Sequence, residues 1–225
     1  MNEHDAPAEF DGTARLFPLP GLVFFPHVMQ PLHIFEPRYR QMTADALASD
    51  KLIALVLPRP GWEPDYAGRP AIHQIATLGQ IVAEQKLEDG RYNLLLRGLH
   101  RIRIVEEIPG AKLYRQARAE IVDDVPPVNL ALELNWRHRL RQRVPTWINQ
   151  PPGEVQQQLH KLLEGDLPLG ALCDILSFAL PLDPDRKQEL LAELDVDARL
   201  TLLFKHFDQV AVAPRPKFPP DFSEN

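Results

Sequence analysis

The spacing of apolar residues changes period near residue 125, from strand-like before it to helix-like after it. Residues 15–39, RLFPLPGLVFFPHVMQPLHIFEPRY, read as short apolar strands cut by Pro18, Pro20, Pro26 and Pro31 and followed by a helix start. Each proline removes a backbone donor, so these strands must be short, bulged or at a sheet edge. Pro20-Gly21 supplies a turn. Glu36-Pro37 opens a helix, with proline in the first turn where its missing N–H costs nothing, and Tyr39, Met42, Ala46 and Leu47 fall on one face. Residues 52–57, LIALVL, form an apolar run too short for a helix and predict a buried strand. Residues 58–70, PRPGWEPDYAGRP, are a loop by composition and carry Trp62 and Tyr66.

Residues 75–87 and 92–97 flank Glu88-Asp89-Gly90-Arg91, and Asp-Gly between apolar runs predicts a hairpin. Residues 101–105 and 114–122 then alternate apolar and polar as half-buried strands do, which completes about six strands and one helix, closed locally and not as βαβ repeats. After Pro126-Pro127 the apolar stripes become helical: Leu132, Trp136 and Leu140; Val155, Leu159, Leu162 and Leu163; Leu169, Leu172, Cys173 and Leu176. Asp183 and Asp195 are N-terminal caps for two further helices, the last presenting Leu200, Leu203, Phe204 and Phe207. The expected organisation is a flexible tail (1–14), a β-rich domain (15–124), a helical bundle (125–210) and a flexible proline-rich tail (211–225). The fold class is α+β.

Composition narrows the function classes. A chain of 225 residues is long enough to bury a core without metal or disulfide staples. Its net charge of −6 argues against a general nucleic-acid or anionic-membrane binder, which needs a basic field to reach phosphate. The single cysteine, Cys173, excludes an intramolecular disulfide and fits a reducing, cytoplasmic location. The acidic N-terminus has no signal-peptide pattern, and no apolar run approaches the roughly 18 residues that a membrane span needs.

The order of these pieces resembles the N-terminal substrate-recognition domain of the Lon protease family. The resemblance rests on the PLP, VFFP and PLHIF segments of residues 15–39, on Ile75-Ala76-Thr77-Leu78-Gly79-Gln80-Ile81-Val82, on Leu94 to Arg101 with its Gly98-x-x-Arg101 corner, and on Tyr114-Arg115-Gln116-Ala117. In the helical half, Lys187-Gln188-Glu189-Leu190-Leu191 and Asp195-Val196-Asp197-Ala198-Arg199-Leu200 are similar to the family's closing helices. The resemblance implies a PUA-like pseudo-barrel beside a helical bundle, as in short bacterial Lon-domain proteins. In the full-length proteases this region precedes an ATPase and a Ser-Lys peptidase. This sequence has no G-x-x-x-x-G-K-[ST] phosphate loop and too few residues after Phe207 for either module. The loop after Leu57 departs from the family, so its ligand preference does not carry over.

The residues themselves offer little catalysis. None of the eight histidines forms a close metal pair, and His100 beside Arg97, Arg101 and Arg103 reads as a strand-end residue in a solvated basic corner. Cys173 lies in a leucine stripe and reads as a small buried hydrophobe. Ser49 and Ser177 lack a nucleophile-elbow context, and Lys51 near Ser49 does not make a dyad. Glu106-Glu107 and Asp123-Asp124 read as rim charges. In residues 136–143, WRHRLRQR, helical spacing splits four arginines over two faces, so no single basic stripe forms.

Apolar surface is the remaining signal. Phe24, Phe25, Met29 and Phe35 either fill the barrel or line a surface that binds peptides, a role suited to methionine with aromatics. Trp62 and Tyr66 sit on a loop, and Glu36 and Arg38 at the strand-to-helix corner either hold a peptide's polar groups or form a cap with an ion pair. The expectation is a non-enzymatic module, with no cofactor or metal, that binds exposed segments of other proteins and leaves self-association open. The alternative is a PUA-like RNA-binding module, an analogy at the level of fold.

Overall fold

The computed structural model describes residues 10–66, 68–147 and 153–212. Six strands form one sheet: β1 (Thr13–Pro18), β2 (Met29–Ile34), β3 (Leu52–Val56), β4 (Ile75–Lys86), β5 (Tyr92–Ile108) and β6 (Arg115–Val122). Helix α1 (Pro37–Leu47) lies between β2 and β3, and α2 (Leu130–Trp147), α3 (Gly153–Glu164), α4 (Leu169–Ala179), α5 (Pro184–Ala192) and α6 (Val196–Val212) follow the sheet. The strand order is β2-β5-β4-β3-β1-β6, and β6 returns to pair with β5, so β1, β3, β4, β5 and β6 close a ring. The closure depends on the length of β5. Over 17 residues its first part pairs with β2, its second part with β6, and β4 runs along both.

So narrow a ring admits few large side chains. Ala14, Ala54, Ala76, Ala117 and Ala119 share the interior with Leu16, Leu78, Ile102 and Ile104. A second, larger core lies outside the ring. It joins Phe17, Ile53 and Leu55 to Tyr39 and Met42 of α1, and continues into Trp136, Leu140, Leu172, Leu176, Leu200 and Leu203 of the helices. Strand β3 separates the two cores and is buried along its whole length, which is why residues 52–57 show no polar alternation.

Four features differ from expectation. Strand β1 begins at Thr13, where it pairs with β6, inside the segment expected to be a tail. The two runs expected at residues 92–97 and 101–105 are one strand, because a register shift opposite Gly98 keeps the ladder continuous. Strands β1 and β3 are parallel and need a crossover through α1, so closure is not wholly local. The VFFP segment is not a strand: Phe24 and Phe25 are fully buried, with Thr77 Oγ1 donating to the Phe24 carbonyl at 2.6 Å. This segment crosses over β5 so closely that a Cβ at Gly98 would stand 2.1 Å from the Phe25 carbonyl oxygen. Beyond it His27 N donates to Gly98 O and Gly98 N to Val28 O, both at 2.9 Å, with His27 at φ 66. This is a β-bulge of the kind that usually puts glycine at the positive-φ position.

The helices are fixed to the sheet by buried charge. Arg101 of β5 donates to Asp174 of α4 through both terminal nitrogens (2.8 and 2.5 Å) and through Nε to the Leu191 carbonyl (2.9 Å). Arg199 of α6 donates to Asp174 (3.0 Å) and to Asp124 (2.5 Å). Arg101 is therefore not part of a solvated corner and Asp124 is not a free rim charge; His100 is exposed as expected. Cys173 beside this cluster is buried, its thiol pushed up to about 12 mainly by burial. The stripe expected on α3 is visible in Leu159, Leu162 and Leu163, whereas the Val155 side chain lies outside the described residues.

Candidate functional site

The C-terminal end of β2 turns directly into α1, and this corner gathers most of the residues the sequence singles out. Glu36 precedes Pro37 at the start of α1, but its carboxylate caps no backbone N–H. It accepts instead from Arg38 Nε at 3.0 Å and from the Tyr66 hydroxyl at 2.7 Å. Arg38 Nη1 donates to the Tyr66 carbonyl at 3.2 Å, so the 58–70 loop is tied to the helix start through both its side chain and its backbone. The Arg38 guanidinium lies 4.6 Å from the Tyr39 ring centre and 5.0 Å from that of Tyr66, and Trp62 meets Tyr66 edge-on at 5.5 Å. Burial, with the bond to Glu36, raises the Tyr66 phenol, and burial raises Tyr39 well beyond the usual range. Both hydroxyls are hydrogen-bond donors at neutral pH.

Beside this row lies a groove lined by Phe17, Leu19, Leu32, Phe35, Tyr39 and Tyr66. Phe35 is 59% exposed at its rim and stacks on His33 with centroids 6.2 Å apart. The structure thus brings together Phe35, Glu36, Arg38, Trp62 and Tyr66. It does not bring the others. Phe24 and Phe25 fill the core and cannot meet a ligand, which settles for them the alternative left open by composition. Met29 is exposed, but at the far end of β2, roughly 20 Å from Phe35 at the rise of a strand. Sequence reasoning missed Leu32 and Tyr39 in the groove, and Leu113, which borders the neighbouring surface pocket with Glu36, Arg38 and Tyr66. Leu113, 62% exposed in a loop without period and held by its N–H to Gln41 Oε1 at 2.9 Å, carried one usable signal: a large apolar residue where no core stripe needs it.

The outer edge of β2 is interrupted for an incoming strand. The Val28 carbonyl points to β5, so even-numbered β2 residues face the sheet and Met29, Pro31 and His33 present their backbone outward. Pro31 has no N–H to offer, and its carbonyl is already taken by the Gln30 side-chain amide at 2.8 Å. What this corner offers a neighbouring molecule is therefore mainly side chains.

The remaining candidates are committed elsewhere. Ser49 donates to the Asp45 carbonyl at 2.8 Å and Ser177 to that of Cys173 at 2.7 Å. On α2, Arg137 pairs with Glu133, Arg141 with Glu164 and Arg143 with Asp208, while Arg139 lies over Trp136 and Phe204. Among the described residues, no group of three or more His, Cys, Asp or Glu side chains is placed to hold a metal ion, and no helix is long and apolar enough to cross a membrane.

Comparison with known proteins adds the family. The sequence model of the ATP-dependent protease La (LON) substrate-binding domain matches residues 13–209. The chain belongs to this family. Its curated relatives include a Lon protease of Syntrophus aciditrophicus, 30% identical over 214 residues, a match covering 92% of this chain and 26% of that protein. A Lon protease of Dictyoglomus thermophilum is 28% identical over 190 residues, covering 82% of this chain and 23% of that protein. The Lon substrate-binding domain described here thus spans about a quarter of the length of such relatives. Its fold is that of the N-terminal domain of the Mycobacterium avium complex Lon protease (TM-score 0.63, 17% identity, covering 87% of this chain and 98% of that one). It is likewise that of a Lon N-terminal domain protein from Xanthomonas campestris (TM-score 0.60, 21% identity, covering 90% and 99%).

Proposed function

We propose that this Lon substrate-binding domain is a non-catalytic recognition module that holds exposed segments of other proteins at the corner between β2 and α1. One observation carries the reading: Phe35 stands exposed beside an apolar groove that is also lined by Tyr66, which Glu36 and Arg38 hold in place. An exposed aromatic beside a preorganised groove is suited to receiving an apolar side chain. Membership in a family named for substrate binding supports the same reading. The absence of cleavage belongs to the proposal. Its support is that both serines among the described residues, Ser49 and Ser177, donate to backbone carbonyls, and that the sequence carries no phosphate loop. Against RNA binding stand the α2 arginines, each already paired or stacked.

The test is fluorescence anisotropy of the full-length protein with labelled casein, an unstructured protein, alongside gel analysis of the same mixture with and without ATP. Binding without cleavage is expected, weakened by Phe35→Ala and by Tyr66→Ala. The reading is lost if casein fails to bind, or if casein is cut and a substitution within this protein abolishes the cutting.

A further inference from the structure

Behind Arg38 the groove meets a second pocket of different character. Its wall is formed by Arg38, Tyr39, Arg69, Lys112 and Arg115, around a cavity of about 90 Å³. Tyr39 lines both this cavity and the apolar groove, while Arg38 and Leu113 border the opening between them. Among the described residues the cavity's lining holds four cationic residues and no aspartate or glutamate. The carboxylates that pair with these cations do not line the cavity itself: Glu36, which lines the opening and the groove, pairs with Arg38 (2.9 Å), Asp45 with Lys112 (2.8 Å) and Glu107 with Arg115. Arg69 forms no ion pair among the described residues. Its backbone is fixed by Asp65 Oδ2, which accepts from its N–H at 3.2 Å, and Arg69 helps hold the Glu107 carboxyl below its ordinary range. Arg115 is 8% exposed, so part of this positive charge is removed from solvent. Three cations oriented by carboxylates, with an Arg69 guanidinium that makes no ion pair among the described residues and an opening toward solvent, are arranged to receive an anion.

Resting on the reading of the groove as a site for protein segments, we propose that this pocket is a carboxylate subsite. It takes the acidic group of a bound segment, from an aspartate or glutamate side chain or from a terminal α-carboxylate, whose neighbouring apolar side chain enters the groove. Three observations select this ligand. The cavity is several times the space one water needs, which suits a terminal group. It adjoins an apolar groove that a polyanion has no use for. The protein's net charge of −6 opposes a long run of phosphates but scarcely affects one carboxylate at a local cationic site.

Anisotropy of the full-length protein with four labelled unstructured peptides tests this. Two carry phenylalanine followed by an internal aspartate or asparagine, both C-terminally amidated, and two end on phenylalanine with a free or an amidated C-terminus. At low salt at least one acid form is expected to bind about fivefold more tightly than its amide counterpart, the pair that responds identifying the source of the carboxylate. The gap should narrow with salt. Arg69→Gln combined with Lys112→Gln should close it while leaving the amide peptides' affinity unchanged and lowering the thermal midpoint by no more than the loss of exposed ion pairs entails. Equal binding of acid and amide forms overturns the subsite and leaves segment recognition standing. Failure of all four peptides, amides included, removes segment recognition itself. Tight binding of a ribo-oligonucleotide that is lost on the same two substitutions overturns the proposal by assigning the pocket to phosphate.

Discussion

Arg199 Nη1 donates to Asp174 Oδ1 at 3.0 Å with both side chains essentially out of contact with solvent. Asp174 is also the bidentate acceptor for Arg101, so one carboxylate on α4 compensates two buried guanidinium groups, one from the sheet and one from α6. Asp174→Ala is expected to lower the free energy of unfolding by about 3–5 kcal/mol, because it leaves those charges buried and short of a partner. Urea denaturation followed by far-UV circular dichroism measures this, and a loss under about 1 kcal/mol would show that water or Asp124 replaces the missing carboxylate.

Gly98 is constrained by approach and not by its own dihedral angles. A Cβ there would fall 2.1 Å from the Phe25 carbonyl oxygen and 3.0 Å from Pro26 Cα, both backbone atoms that cannot turn aside. Gly98→Ala should cost about 3 kcal/mol as the crossing segment lifts off β5 and carries Phe24 and Phe25 partly out of the core. A chemical denaturation midpoint unchanged from the parent would refute the contact.

His27 has the opposite problem. It holds a positive φ of 66 with its imidazole exposed, so the ring does little to offset the strain. His27→Gly is expected to stabilise by about 0.5–1 kcal/mol, the relief of a left-handed conformation less the extra freedom of the unfolded state. His27→Val should destabilise, since a branched Cβ tolerates that region less well. Thermal unfolding of the pair gives the sign directly.

The Glu107 carboxyl is held below its ordinary range, first by its hydrogen bonds to Arg115 and then by that guanidinium's charge. A depressed carboxyl stabilises the fold above the unfolded-state value, about 4.3. As pH falls below this the unfolded state takes up its proton first, and the contribution is lost by the time the folded group titrates. Glu107→Gln should therefore lower the melting temperature at about pH 7 and flatten its decline between about pH 5 and pH 2. Parallel declines in the two proteins would count against the pairing.

Much of the fold was legible because it follows from local pattern. The Asp89-Gly90 turn has its glycine at φ 80, and Asp183 caps α5 by accepting from Arg186 N. Period failed where tertiary packing decided. The apolar residues of the VFFP segment suggest a strand, yet their partners are Thr77 and Gly98 on strands more than fifty positions away, and nothing near them in sequence marks the crossing. The same limit hid the ion cluster, since Arg101, Asp124, Asp174 and Arg199 look like four unrelated surface charges until the helices fold back. At the candidate site, Glu36 and Arg38 were readable as neighbours. The contact of Tyr66 with them across a loop of proline and glycine was not, because such a loop has no period to extrapolate.

The interruption of the β2 edge at Pro31 has a consequence for any protein that meets unfolded polypeptide. An open edge would let each client extend the sheet, and sheets that grow by addition recruit further copies and release slowly. With Pro31 unable to donate and its carbonyl occupied by Gln30, the ladder a client would need along this edge is broken at its middle. In the proposed role, capture stays reversible, one side group at a time, and a bound segment leaves as unfolded as it came.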